Sequence, residues 1–228
     1  MIGAINMLGL TKRPHARILQ GSTSEVHSEH GVHPRSEGYG RLVNMAGPRA
    51  CYGEGERCAK TLFYSYGRQH GPSVRVARIL NTYGPNMHSQ DGSAVSSFIA
   101  QGLKIEPITI YGSASQRRSF CYVDDMIHGL TRLINAECDT SGAVNVGNPA
   151  EISICERAHF VTSLVGSRSK IELRPLPRDD PRQRCPDITR VKQLRHWSPK
   201  VHLKKCLCKT MVGRRVPAKQ VSWCGGRI

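Results

Sequence analysis

Residues 50–85 read ACYGEGERCAKTLFYSYGRQHGPSVRVARILNTYGP. Apolar side chains recur at helical spacing through Ala59, Leu62, Phe63 and Tyr66, which predicts a helix over 50–71. The apolar run from Val74 to Leu80 predicts a strand, followed by a turn that ends at Pro85. The same alternation continues on both sides. Residues 3–13 predict a helix, and 16–26 a buried strand ending in a polar loop. Downstream, helices are expected in SAVSSFIAQGLK, YVDDMIHGLTRLINA, SICERAHFVTSLVG and DITRVKQL, the last capped by Asp187. Strands are expected in PITIYG, GAVNVGN and KIELRPL. Asp124 and Asp125 sit in a first turn, where the helix dipole favours them. Ser153 and Gly166 suit the two caps of the third of these helices. Strands alternating with helices predict an α/β protein with largely parallel pairing.

In such a sheet, ligands bind at the carboxyl ends of the strands. Ser22, Thr23, Ser24 and Glu25 close the first strand, and Tyr52 opens the helix that follows. A hydroxyl cluster there can relay a proton to or from a tyrosine. A tyrosine acts as a base at neutral pH only beside a cation, and i+4 is the natural position for one. That position holds Glu56, whose carboxylate repels a tyrosinate. A tyrosine in a helix is, by itself, most often an ordinary structural residue.

Composition narrows the classes. The 228 residues suit one or two small domains with a real core, and no apolar run is long enough for a membrane helix. The first residues do not read as a signal peptide, which points to the cytoplasm. Nine cysteines at scattered spacing argue against a disulfide framework, and no Cys/His set has zinc spacing, so no metal site is expected. The net charge of +16 is concentrated late: no Asp or Glu follows Asp187. That tail reads as a solvated extension or a polyanion-binding segment. Nucleic acid is not the expected partner, because aromatic residues for base stacking are nearly absent there. From about Val201 the pattern of elements decays, and GRRVPAKQVSWCGGRI predicts none. No strand is followed by a GxGxxG turn of the kind that cradles a pyrophosphate.

NMLGLTKR, STSEV, GPRACYGEGER, VRVARILNTYGPNM, DGSAVSSFI, YGSASQRRSFCYVDDMIHGL, VNVGNP and DDPRQRCPDI occur in this order. Together, over about residues 3–200, they resemble UDP-glucuronate decarboxylase (UDP-xylose synthase), an extended short-chain dehydrogenase/reductase of the epimerase/dehydratase superfamily. The resemblance implies a partial doubly wound, Rossmann-type parallel sheet that lacks its first βαβ units, with a small C-terminal substrate-binding α/β region. It implies a division into 1–93, the later part of the NAD-binding domain; 94–200, the UDP-sugar-binding region; and 201–228, a basic divergent tail. In that family NAD oxidises C4 of UDP-glucuronate with the tyrosine as base. The 4-keto acid then loses CO2, and the retained NADH reduces C4 to give UDP-xylose.

Carried over by position, Tyr52 is the implied base, Thr23 its hydroxyl relay, and Glu25 the acid/base group near the sugar, with Ser24 beside it. Thr82 and His88 are implied near the NAD, with Glu56 where the family has its ribose-holding lysine. Substrate contacts are implied for Asn6, Lys12, Arg13, Tyr66, Gln69 and Asn81. Val95, Thr109 and Tyr111 are implied at the uridine, and Arg118 and Arg184, assisted by Gln116, at the diphosphate. The family also pairs as dimers through the tyrosine helix and its neighbour, which implies a homodimer or a heterodimer with an intact member. Its members occur in the cytosol or the Golgi lumen. Departures from its motifs stand at Glu56, at Asn86 and Ser93 where it has arginines, and at His27 where it has tyrosine. Two further readings remain: a non-catalytic UDP-sugar-binding remnant or partner subunit, and a basic polyanion binder.

Overall fold

The computed structural model describes residues 1–11, 16–26, 33–38, 47, 50–88, 91–137, 142–176 and 183–212. In chain order the elements are α1 (Ile2–Leu10), β1 (Arg17–Thr23), a 3-10 turn (Ser24–Val26), α2 (Ala50–His70), β2 (Ser73–Ile79) and β3 (Thr82–Tyr83). Then come α3 (Ala94–Lys104), β4 (Ile108–Tyr111), β5 (Arg117–Ser119), β6 (Cys121–Tyr122), α4 (Val123–Ile134) and β7 (Val144–Val146). The last are β8 (Glu151–Ser153), α5 (Ile154–Val165), β9 (Ile171–Arg174), β10 (Gln183–Arg184), α6 (Thr189–Arg195) and α7 (Leu203–Val212). They form two compact units that interleave along the chain. Unit 1 is Met1–Thr82, Ser119–Ala150 and Arg184–Pro199; unit 2 is Tyr83–Arg118, Glu151–Gln183 and Lys200–Ile228. The contiguous division at 93 and 200 does not follow these boundaries, because the chain returns to unit 1 for β6, α4 and β7.

Unit 1 is built on a parallel sheet in the order β1-β2-β7. Arg17 pairs with Ser73 and Thr23 with Ile79; Ala77 pairs with Val144 and Ile79 with Val146. Period-two alternation along β2 sends side chains to two separate cores. Val74 joins Leu8, Ile18 and Phe63 against α1 and α2. Ala77 and Ile79 join Met126, Leu133, Val144, Val146, Ile188, Val191 and Trp197 on the other face. The predicted helix and strand over 50–80 therefore form one packed α–β unit.

Gly129 of α4 fits this second core only because it has no side chain. A Cβ there would lie 2.8 Å from Val146 Cγ1 and 2.9 Å from Trp197 Cε2. Gly129→Ala is expected to lower stability by about 1–3 kcal/mol despite alanine's better helix propensity. A fall in the urea midpoint checks this; an unchanged midpoint would mean that α4 is not seated against Trp197.

In unit 2, β4 pairs in parallel with β9, Ile108 facing Ile171 and Tyr111 facing Arg174. Val95, Phe98, Ile99, Ile108, Ile110, Ala158 and Val161 are buried. Helix α5 begins with a capping box: Ser153 Oγ accepts from Glu156 N–H at 3.0 Å, and Ser153 N–H donates to Glu156 Oε2 at 2.9 Å. It ends at Gly166 with φ 65°. The bonds from the Ser153 side chain and backbone hold the Glu156 carboxyl below its usual 4.5. A carboxyl depressed by folding adds stability above its unfolded value, and that stability fades as the pH falls towards the folded value. Ser153→Ala is expected to lose its cap, and the acid-side decline in melting temperature below about pH 4.5 should become shallower. An identical pH profile in the variant would contradict this.

Two sequence expectations change at the end of the chain. The α6 cap position is Ile188, and Asp187 acts one residue earlier by accepting from Thr189 N–H at 2.9 Å. The pattern does not simply decay after Val201, since α7 buries Cys206, Leu207, Thr210 and Met211. The stretch 213–228 lies outside the described residues. Cys51, Cys58, Cys121, Cys155, Cys185, Cys206 and Cys208 are free thiols. No described helix is long and apolar enough to cross a membrane.

Candidate functional site

The acid–base residues lie in unit 1. Strand β1 delivers Thr23 to the carboxyl edge of the sheet, and the chain tightens at once into the 3-10 turn. Thr23 Oγ1 accepts from Glu25 N–H at 3.2 Å, which fixes the turn, and Ser24 is buried beneath it. Helix α2 starts against the same turn: a Cβ on Gly53 would stand 3.9 Å from the Glu25 carbonyl oxygen. The structure thus brings Thr23, Ser24 and Glu25 up to the helical turn that carries Tyr52. Tyr52 itself is 53% exposed.

Glu56 lies one turn along α2. Its Oε2 is buried and has no hydrogen-bond partner among the described residues. Arg57 turns the other way, to Glu54 at 3.2 Å. Lys60, a further turn on, has its ammonium pKa lowered by burial and by the neighbouring Arg78 and Arg57. Arg57 is thus paired with Glu54, and Glu56 Oε2 stays without a partner among the described residues.

Asn81 has a positive φ of 21°, and its side-chain amide donates to the Ser119 carbonyl at 3.0 Å. It shapes the turn after β2. Thr82 has a buried hydroxyl without a hydrogen-bond partner among the described residues. Asn6 is exposed on α1, while Lys12 and Arg13 lie outside the described residues. Tyr66 packs with Leu8, Ile18 and Phe63 and lies 4.3 Å from the His70 ring; Gln69 is exposed beyond it. Both stand about 20 Å or more along the helix from Tyr52, so α2 does not bring them to the tyrosine's end of the sheet.

Of the remaining expected nucleotide contacts, all but Arg184, which belongs to unit 1, lie in unit 2. His88 is exposed and Val95 is fully buried on α3. Thr109 is tied to Gln101 by two bonds, of 2.9 and 3.2 Å, which leaves neighbouring Tyr111 as the exposed side chain of β4. Gln116 is buried over Gly112, which has φ 87° and no room for a Cβ: one built there would lie 2.3 Å from Gln116 Nε2. Arg118 on β5 is only 8% exposed, with a guanidinium N–H on the Arg117 carbonyl at 3.2 Å. The Arg184 backbone lies in β10, and its side chain is outside the description.

Sequence reasoning missed Arg157 of α5, which is fully buried in the same unit. Burial pulls its pKa down to about 9; Tyr83 pulls it back up and Arg118 pushes it further down. No sequence signal marked it, because a charged residue on a helix is read as a surface residue.

The family model for the NAD dependent epimerase/dehydratase family matches residues 1–147. UDP-glucuronic acid decarboxylase 1 of Danio rerio is 51% identical over 210 residues, covering 92% of this chain and 50% of that protein. UDP-glucuronic acid decarboxylase 5 of Arabidopsis thaliana is 50% identical over 207 residues, covering 91% of this chain and 60% of that protein. The chain thus spans about half the length of the curated relatives it matches. Among solved structures it is similar to UDP-glucuronic acid 4-epimerase from Bacillus cereus in complex with UDP-glucuronic acid and NAD: TM-score 0.83, 23% identity, 93% of this chain and 66% of that one. It is also similar to UDP-glucose 4-epimerase from Thermotoga maritima with UDP-glucose: TM-score 0.84, 21% identity, 93% and 68%. At such identities these structures speak for the fold alone.

Proposed function

The chain belongs to the NAD-dependent epimerase/dehydratase family, and from that premise we propose that it binds a UDP-sugar of the UDP-glucuronate class without turning it over. The observation that carries this reading is Glu56, with a buried carboxylate oxygen that has no hydrogen-bond partner among the described residues, in a chain about half identical to UDP-glucuronic acid decarboxylases. Arg118 would hold the diphosphate, Gln116 would assist, and Tyr111 with the β4 strand would meet the uridine.

NAD is the cofactor of this family, and when bound it supplies the hydride acceptor and donor. The described residues fit it unevenly. The orphaned Thr82 hydroxyl could take a ligand atom. Glu56 offers a carboxylate where a cation is needed to hold a ribose and steady a tyrosinate, and Tyr52 stands in solvent. No redox step is therefore assigned to this chain, although the relatives' decarboxylation remains the chemistry from which the site descends. Incubation with UDP-glucuronate and NAD is expected to release no CO2 above buffer. Release that disappears in Tyr52→Phe would overturn the non-catalytic reading and restore the enzyme one.

A partner is also proposed. Ile2, Ile5, Met7 and Leu10 of α1 are exposed although apolar, and α1 lies beside α2, with the Met1 and Cys58 sulfurs 3.2 Å apart. A surface of this kind supports pairing of α1 and α2 with the same helices of a second family chain. Ile5→Lys is expected to raise the dimer dissociation constant by about tenfold or more. Light scattering that finds the parent chain monomeric at high concentration would contradict the pairing.

A further inference from the structure

Helix α7 has two chemically distinct sides. Cys206, Leu207, Thr210 and Met211 are buried, none more than 3% exposed. Thr210 Oγ1 donates to the Cys206 carbonyl at 2.8 Å, so the hydroxyl on this side is satisfied within the helix. Lys204, Lys205 and Lys209 stand in solvent on the opposite arc, with half-buried Cys208 between them. The lysines do not serve the helix. Lys204 and Lys205 lie in its first turn, which carries no acidic residue, so both charges oppose the positive end of the helix dipole. No Asp or Glu follows Asp187, so no carboxylate stands three or four residues away to pair with them. The sequence beyond the helix adds Arg214, Arg215, Lys219 and Arg227.

The exposed side of α7 holds no aromatic ring to stack on a base and no arginine fork to grip a single phosphate. Three ammonium groups are compact point charges, suited to a partner whose negative charge is dense and spread over a surface. We propose that the lysine face of α7 docks the protein on an anionic lipid bilayer, by attraction to the headgroups and without insertion of the helix. Its apolar side is already buried, so it cannot enter the acyl region as the apolar side of an interfacial helix does. The attachment is therefore peripheral and reversed by salt. It does not depend on the sugar-nucleotide reading.

The test sediments the full chain with vesicles of phosphatidylcholine, alone or mixed with phosphatidylserine, at low and high salt. Binding is expected to the mixed vesicles only and to disappear at high salt. Lys204→Gln/Lys205→Gln should weaken it by about tenfold or more, while melting no lower than the parent and leaving any UDP titration unchanged. Lys104→Gln/Lys170→Gln removes the same charge from exposed positions outside α7 and should change binding by less than about twofold. No binding of the parent to the mixed vesicles would overturn the proposal. So would equal losses in the two double variants, which would mark net charge alone as the cause. Full binding by the α7 variant would overturn it as well, by moving the attachment to the rest of the chain. Duplex DNA is titrated in parallel: tighter binding to DNA than to the mixed vesicles, lost in the α7 variant, would make nucleic acid the occupant of this face and overturn the lipid one.

Discussion

Arg118→Ala is expected to weaken UDP binding by about ten- to a hundredfold, the loss of a charge-assisted hydrogen bond worth roughly 1.5–3 kcal/mol. The side chain is almost buried on β5, so its guanidinium is preorganised and little rotamer freedom is lost on binding. One of its N–H groups rests on the Arg117 carbonyl, while Arg117 reaches the Glu151 carbonyl at 3.2 Å and its carboxylate at 4.0 Å. Removing Arg118 takes away a buried charge and leaves that neighbouring pair in place. Arg118→Lys should lie between the parent and the alanine variant, since an ammonium keeps the charge and loses the planar fork. Unchanged UDP affinity in Arg118→Ala would remove the diphosphate from β5.

Trp197→Ala is expected to lower stability by about 3–5 kcal/mol. Trp197 is 1% exposed and is among the largest fully buried side chains of the molecule. Its indole N–H donates to the Asp125 carbonyl at 3.2 Å, and its ring fills the space left open by Gly129. It joins the cluster of Ala77, Leu133, Val146 and Val191, so it connects α6, α4 and the sheet. A cavity of that size would remove a large part of the roughly 5–15 kcal/mol typical of folded domains. Trp197→Phe keeps most of the ring, loses the hydrogen bond and should cost about 1–3 kcal/mol. Chemical denaturation measures both. A loss below about 1 kcal/mol in the alanine variant would mean that the segment after α6 is not part of the core.

What could be read from the sequence is what local chemistry decides. The α2–β2 stretch announces itself by a switch from helical to strand spacing, and α5 by Ser153, Glu156 and Gly166, whose roles need only neighbouring residues. Gly112 illustrates the opposite case. Its need to lack a side chain depends on Gln116 folding back over it, which no spacing rule reveals. Arg157 was invisible for the same reason: its inward face is set by packing in unit 2, against the rule that charges face water. Helix α7 was hidden by its lysines, whose charge masks the buried Cys206, Leu207 and Met211. The interleaving of the two units depends on which strands meet in space. Glu56, by contrast, was legible from the sequence, and the structure adds that its carboxylate oxygen is buried.

We propose that the chain keeps the sugar-nucleotide contacts and has lost the cofactor contact at Glu56. Calorimetric titration of the purified chain with UDP, and separately with NAD, tests it most directly. Saturable UDP binding at one site per chain is expected, with NAD binding much weaker or undetectable. Saturable binding of both would contradict the lost cofactor contact, and Glu56→Lys should then be assayed for CO2 release. Failure to bind UDP would contradict the account as a whole.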